Sequence, residues 1–245
     1  MSLSGRHYWL VGASEGLGRA LATELSQRGA HLTVSARAAG RLKDLAQSLE
    51  TDVRVLPIDV TDPDAVATAF DKVGDIDGLI YLAGYYEPMT AEDWDPAAVE
   101  AMFNVNLMGA VRVLGHVVPT FAKKGSGHVV ITGSLSGYRG LPGAIGYGAS
   151  KSGLMHLAEN LRSDLWHSGV QVQLINPGFI KTRLTDKNDF NMPFILTPED
   201  AAKRFADAME SRRFKTDFPW GFSLVFRASG WLPQWAYERL FARAK

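Results

Sequence analysis

Short apolar runs alternate along this chain with longer stretches whose apolar positions recur at helical spacing. Tyr8-Trp9-Leu10-Val11 is apolar on both faces of an extended segment and stops at Gly12. A helical repeat follows at Leu17, Ala20, Leu21, Thr23, Glu24 and Leu25 and ends near Gly29. Residues 31–35, 53–58, 79–82, 129–132, 170–175 and 213–218 read as further strands. Helices are predicted over residues 41–49, 65–72, 96–121 and 147–166. Another helix is predicted after Thr197, whose hydroxyl suits an N-cap ahead of Pro198-Glu199-Asp200. Strands apolar on both faces, alternating with helices, imply βαβ units and a parallel sheet covered on both sides. The expected fold class is α/β: a doubly wound Rossmann-type sheet of about seven strands with helices on both faces. No linker, repeat or low-complexity block interrupts the pattern, so residues 1–245 are expected to form a single domain. All strand carboxyl ends then share one edge, where ligands bind in such sheets.

Composition narrows the function. Twenty-six basic residues balance 26 acidic ones in the 245-residue chain, so there is no overall pull toward nucleic acid, and no dense basic cluster supplies one locally. Cysteine is absent, which excludes disulfides, thiolate metal sites and cysteine nucleophiles; no metal is expected. The segment from Met1 to Tyr8 lacks the pattern of a secretory signal, and no uninterrupted apolar run is long enough to span a bilayer. A cytoplasmic location is expected.

Gly12-Ala13-Ser14-Glu15-Gly16-Leu17-Gly18 joins the first strand to the first helix. Gly12 can take a backbone geometry other residues resist, Gly16 lets the backbone approach a pyrophosphate, and Gly18 lets the helix press on the sheet. The helix N-terminus offers free N–H groups and a partial positive charge to that phosphate. In this strand–turn–helix setting Gly12, Ser14, Glu15, Gly16, Leu17 and Gly18 are the expected cofactor contacts. The G-x-x-x-G-x-G spacing resembles the short-chain dehydrogenase/reductase family, and motifs up to about Thr182 carry the resemblance onward.

The end of the second strand reads the adenosine ribose in dinucleotide folds, and an acidic residue there favours NAD. Here Ala36 and Arg37 stand at that place, and a guanidinium can pair with the 2′-phosphate of NADP. NADP(H) is therefore expected over NAD(H), with Glu15 as a mild counter-argument, since many NADP-dependent relatives are neutral or basic at its position. The resemblance further implies that Asp59 meets the adenine amino group and that Val60 lines its pocket; Asp59 also suits a plain turn. Ala83 and Gly84 match a family segment near the cofactor ribose, but Tyr81 and Leu82 replace the family's two asparagines, whose roles do not carry over.

Tyr147 and Lys151 are spaced i, i+4, which puts both on one helix face. A nearby ammonium is expected to lower the phenol's pKa, as a proton-transferring tyrosine requires. The surrounding Tyr147-Gly148-Ala149-Ser150-Lys151 closely resembles the family's active-site segment. Ser134 has the family's spacing for the serine that hydrogen-bonds the substrate oxygen, with Ser136 its neighbour and rival. The resemblance makes Asn106 the fourth catalytic member, holding a helix bend and a water connected to the lysine; Asn104 is a decoy. Pro177, Gly178, Ile180 and Thr182 resemble the segment that holds the nicotinamide.

Residues 182–200 resemble the family's substrate lid, and Phe190, Met192, Pro193, Phe194 and Ile195 there suit a hydrophobic substrate. Residues 219–245 form an apolar extension, aromatic and dotted with Arg227, Arg239 and Arg243, which separates the chain from acyl-carrier ketoreductases. Oligomer or pocket packing is the favoured reading of the extension, and peripheral membrane contact is the less favoured one. The expected function is an NADP(H)-dependent oxidoreductase interconverting a carbonyl and an alcohol, with Tyr147 passing the proton. The alternative is a catalytically idle NADP-binding sensor or scaffold on the same fold. A homodimer or homotetramer is expected from the resemblance.

Overall fold

A computed structural model describes residues 2–241. Seven parallel strands run in the order β3-β2-β1-β4-β5-β6-β7. They are β1 (His7–Val11), β2 (His31–Ser35), β3 (Val53–Val55), β4 (Gly78–Tyr81), β5 (Gly127–Thr132), β6 (Val170–Pro177) and β7 (Lys215–Phe218). The helices are α1 (Gly16–Gln27), α2 (Ala39–Gln47), α3 (Pro63–Val73), α4 (Pro96–Phe103), α5 (Gly109–Lys124), α6 (Ile145–Asp164), α7 (Pro198–Glu210), α8 (Trp220–Ser229) and α9 (Gln234–Phe241).

Successive side chains on a strand point to opposite faces, so an apolar run supplies two cores at once. Tyr8 and Leu10 pack with α1, α2 and α7 on one face. Trp9 and Val11 pack with α3, α5 and α6 on the other. The same division places Ile80 and Val130 on the first face and Leu79, Tyr81, Val129 and Ile131 on the second. The strand order reverses between β1 and β4, and their carboxyl ends open the crevice expected of a doubly wound sheet.

Two expectations change. The strand expected over residues 53–58 closes at Val55: Leu56 and Ile58 still donate to the carbonyls of Val34 and Ala36, but Pro57 has no N–H to continue the ladder. The single helix expected over residues 96–121 is broken into α4 and α5 by a π-helical turn at Asn104–Met108. Pro96–Lys124 is the one helical stretch among the described residues long and apolar enough to cross a membrane by length and composition. It packs instead against α3 and α6 as a core helix. Thr197 caps α7 as expected, accepting from the Asp200 N–H at 3.1 Å.

Candidate active site

The glycine turn is tight enough to dictate its residues. Gly12 sits at φ +105°, and a Cβ there would lie 2.5 Å from the Ala83 nitrogen. A Cβ on Gly18 would lie 1.9 Å from the Gly12 carbonyl oxygen. The first turn of α1 is thereby held against the end of β1, with its unpaired N–H groups facing the crevice. Gly18 works from behind the turn and does not reach the crevice, whereas Gly12, Ser14, Glu15, Gly16 and Leu17 line it.

Across the crevice, α6 presents Tyr147 and Lys151 one turn apart, and the loop after β5 presents Ser134. The Ser134 hydroxyl lies close enough to Tyr147 to lower its pKa and is 2.9 Å from the Ser136 hydroxyl, so the two serines share one wall. Lys151 is buried and donates to the Thr132 carbonyl at 2.8 Å, with its amine 5.8 Å from the centre of the Tyr147 ring. Asn106 does not face the crevice. It is fully buried in the π turn, where its carbonyl accepts from the Tyr85 N–H at 2.7 Å. Its amide donates to the Tyr85 carbonyl at 3.0 Å and to the Ser150 hydroxyl at 2.9 Å. Asn106 therefore clamps the chain after β4 onto α6, while Asn104 borders the crevice.

The expected lowering of the tyrosine's pKa is not what this geometry produces. Burial pushes the Tyr147 phenol up to about 12, the Ser134 hydrogen bond pulls against it, and Tyr86 adds to the rise. Burial also pulls the Lys151 amine down to about 8. The Lys151 amine is turned toward the Thr132 carbonyl, 5.8 Å from the Tyr147 ring centre, and burial and Tyr86 outweigh the pull that lowers the phenol.

Tyr81 has a role that the sequence did not suggest. Its hydroxyl donates to the Val105 carbonyl at 2.6 Å and braces the π turn that carries Asn106. Tyr86 is a second missed residue: its ring meets Tyr147 edge-on at 5.0 Å, and its hydroxyl donates to Asn188 at 2.8 Å. Only the fold brings these partners together, so no local signal marked them.

Beyond the ends of β2 and β3, Arg37, Asp59 and Val60 line the crevice. Asp59 also closes a turn, accepting from the Thr61 N–H at 2.9 Å and the Thr61 hydroxyl at 2.8 Å. Partial burial raises its pKa, but the Thr61 bonds and the Arg37 charge together hold the carboxyl below its ordinary value. Glu15 is no free anion: Arg41 and Arg183 each reach its carboxylate at 2.5 Å. Arg41 thus joins Arg37 on this wall, from the first turn of α2.

Ala83, Gly84, Pro177, Gly178, Ile180 and Thr182 complete the lining, and the cavity measures about 1720 Å³. That exceeds the roughly 300–1,000 Å³ of ordinary ligand pockets and leaves room for a dinucleotide beside a substrate. The tight glycine cradle, the two arginines and this volume fit a dinucleotide cofactor.

The far wall is aromatic. Phe179 contacts Phe190 at 5.8 Å and Phe222 at 5.9 Å between ring centres, and Phe222 meets Phe226 at 5.0 Å. Phe190, Phe222, Phe226 and Phe241 all line the cavity, so the C-terminal extension supplies part of its wall. Residues 242–245, including Arg243, lie outside the described residues. Arg139 ties the extension down: it donates to the carbonyls of Ser229 and Leu232, the latter at 3.0 Å, and to Gln234 at 2.7 Å. Its guanidinium also stacks over Tyr237 at 4.0 Å, and the Tyr237 hydroxyl donates to the Gly140 carbonyl at 2.6 Å.

A family model for short chain dehydrogenases matches residues 6–192, spanning the glycine cradle, the segments that carry Ser134, Tyr147 and Lys151, and the chain up to Met192. The chain belongs to the short-chain dehydrogenase family. An uncharacterized oxidoreductase of Myxococcus xanthus is 33% identical to this short-chain dehydrogenase over 250 residues, covering 99% of each chain. Another, from Staphylococcus epidermidis, is 33% identical over 74% of this chain and 80% of its own. A short chain dehydrogenase from Burkholderia cenocepacia, solved in complex with NADP, shares the fold over the full length of both chains at a TM-score of 0.88 and 24% identity. The protein is accordingly an NAD(P)-dependent oxidoreductase with a single Rossmann-type domain.

Proposed function

We propose that this short-chain dehydrogenase interconverts a carbonyl and an alcohol on a hydrophobic substrate, using NADP(H), with Tyr147 exchanging the proton. The observation that carries the reading is one continuous cavity with Ser134, Tyr147 and Lys151 at its centre, the glycine cradle at one end and a phenylalanine wall at the other. When bound, the nicotinamide supplies or accepts the hydride. In the reducing direction Ser134 and Tyr147 donate hydrogen bonds to the substrate oxygen where negative charge develops. Tyr147 is suited to be the donor because its burial keeps the phenol protonated, and it gives its proton to the forming alkoxide. Lys151 returns a proton toward Tyr147, and Asn106 positions that part of α6 through Ser150, which itself donates to the Tyr147 carbonyl at 2.9 Å.

Screening apolar ketones and aldehydes for NADPH consumption tests the reading. A catalytically idle NADP-binding scaffold would bind cofactor and turn over none of them. The preference for NADP(H) rests on Arg37, with Arg41 beside it and Glu15 already paired. Arg37→Ala combined with Arg41→Ala should raise the KM for NADPH about tenfold or more and leave that for NADH little changed, since an arginine–phosphate pair contributes about 1.5–3 kcal/mol. Equal effects on both cofactors would overturn the preference. Residues 182–200 act as the lid over the substrate. We place the enzyme in the cytoplasm as a homodimer or homotetramer, which light scattering of the purified protein would test.

A further inference from the structure

The polarity of α8 is reversed relative to a helix on a water-facing surface. Its inward positions include Ser223 and Ser229, both buried, and each hydroxyl is satisfied by a carbonyl of its own helix, those of Trp220 and Phe226. Its outward positions include Trp220, Leu224, Val225 and Ala228. Trp220, Leu224 and Ala228 follow one another at i, i+4 and i+8, so they form one stripe, and Trp231 continues it past the end of the helix. Trp220 is 70% exposed, Trp231 91% and Trp235 70%. The lid extends the same surface: Phe194 is 68% exposed, and its ring lies 5.7 Å from Phe222. From Phe218 to Tyr237 there is no carboxylate; Arg227 is exposed with its Nε 3.7 Å from Asp217, and beyond the stretch Arg239 follows the exposed Glu238, which accepts from Gln234.

We propose that α8, the turn after it and the outer edge of the lid form a surface that docks onto a lipid bilayer, with Arg227 and Arg239 meeting anionic headgroups. Indoles on an apolar stripe, with arginines at its edge whose own carboxylate neighbours Asp217 and Glu238 lie off the stripe, suit the headgroup boundary, where one side of a ring is apolar and the other wet. A second copy of the chain is a poorer occupant. The exposed stripe and the aromatic cavity wall are two sides of the same segments, α8 and the lid, so a rigid protein face seated there would close off the substrate cavity. A bilayer would instead continue the apolar path from Trp220 and Phe194 inward to Phe222 and Phe226.

Docking is measured without turnover, so it stands or falls separately from the oxidoreductase reading. The full chain is mixed with vesicles of phosphatidylcholine alone and with vesicles containing phosphatidylglycerol, and the bound fraction is read by flotation. Binding to both, stronger with phosphatidylglycerol and accompanied by a blue shift of tryptophan emission, is the expected result. Trp220→Ser, Trp231→Ser and Trp235→Ser combined should weaken binding about tenfold or more, because membrane partition scales with buried apolar area, while circular dichroism and NADPH turnover stay unchanged. Leu224→Asp, a single exposed change, should weaken it in the same direction and guards against misfolding of the triple variant. Wild-type protein that stays out of the floating fraction overturns the proposal. So do variants that float as well as wild type, or a wild-type dimer that the triple variant converts to monomer.

Discussion

α6 and α8 both turn polar residues inward, for opposite reasons. On α6, Ser150 and Lys151 are buried and bonded to other elements: Ser150 to Asn106 on the π turn, and Lys151 to the end of β5. On α8, Ser223 and Ser229 are buried but bonded to their own helix, and that helix spends its aromatic residues on the cavity and on the surface. Polar burial that links several elements fixes the place of a reacting group, because each partner restrains the others. Burial satisfied locally restrains nothing beyond the helix, and leaves its position to whatever the neighbouring segments supply. For α8 and α9 those neighbours include β7, Phe179, Phe194 and Arg139.

The largest expected effect is at Tyr147. Tyr147→Phe keeps the ring and removes the proton, so turnover should fall by about 10²–10⁴ while NADPH binding, read by fluorescence titration, is nearly unchanged. Next is the cradle. Gly18→Ala forces a Cβ against the Gly12 carbonyl oxygen and should cost about 1–3 kcal/mol of stability in denaturant melts, as overpacking does, and weaken cofactor binding with it. Arg139→Ala tests the other side. Loss of its bonds to the extension should cost about 1–2 kcal/mol, and KM for an apolar substrate should rise more than kcat falls, since the aromatic wall loosens while α6 stays in place. An equal fall in kcat would show that the extension also restrains the catalytic group.

The smallest effect is in pH. Burial holds the Lys151 amine at about 8, below its ordinary value, so between about pH 8 and pH 10 the unfolded chain binds a proton the folded chain does not. Lys151 should make stability rise with pH across that window, by no more than about 1.4 kcal/mol per pH unit. Lys151→Met should flatten the slope of the denaturation midpoint against pH. A variant with the wild-type slope would assign the effect to other groups.

Much of the fold was legible because its signals are local. Apolar runs marked all seven strands, β2 at the observed limits, and Thr197 marked the start of α7. The glycine spacing and the i, i+4 tyrosine and lysine are likewise local, and most residues chosen from them line one cavity. The rest depends on contacts far apart in the chain. Asn106 sits in the π turn that breaks the helix, where a bend was expected of it, and Tyr81 braces that turn through a contact 24 residues along the chain. Arg139 reaches 90 residues and more to its partners, and Arg183 lies 168 residues from Glu15. No hydrophobic period records a partner at that distance.

The sequence by itself determined the alternation of elements, the glycine turn, and which hydroxyl, phenol and amine are candidates for the chemistry. Those follow from steric and periodic rules that act within a few residues. Only the tertiary structure decided the state of those groups: a phenol raised rather than lowered in pKa, and a lysine turned to Thr132. It also decided that Glu15 is neutralised by two arginines and that the C-terminal aromatics divide between a cavity wall and an exposed stripe. Burial, and the charges that burial brings close, are properties of the packed chain, and they set the strength of every polar group in the cleft.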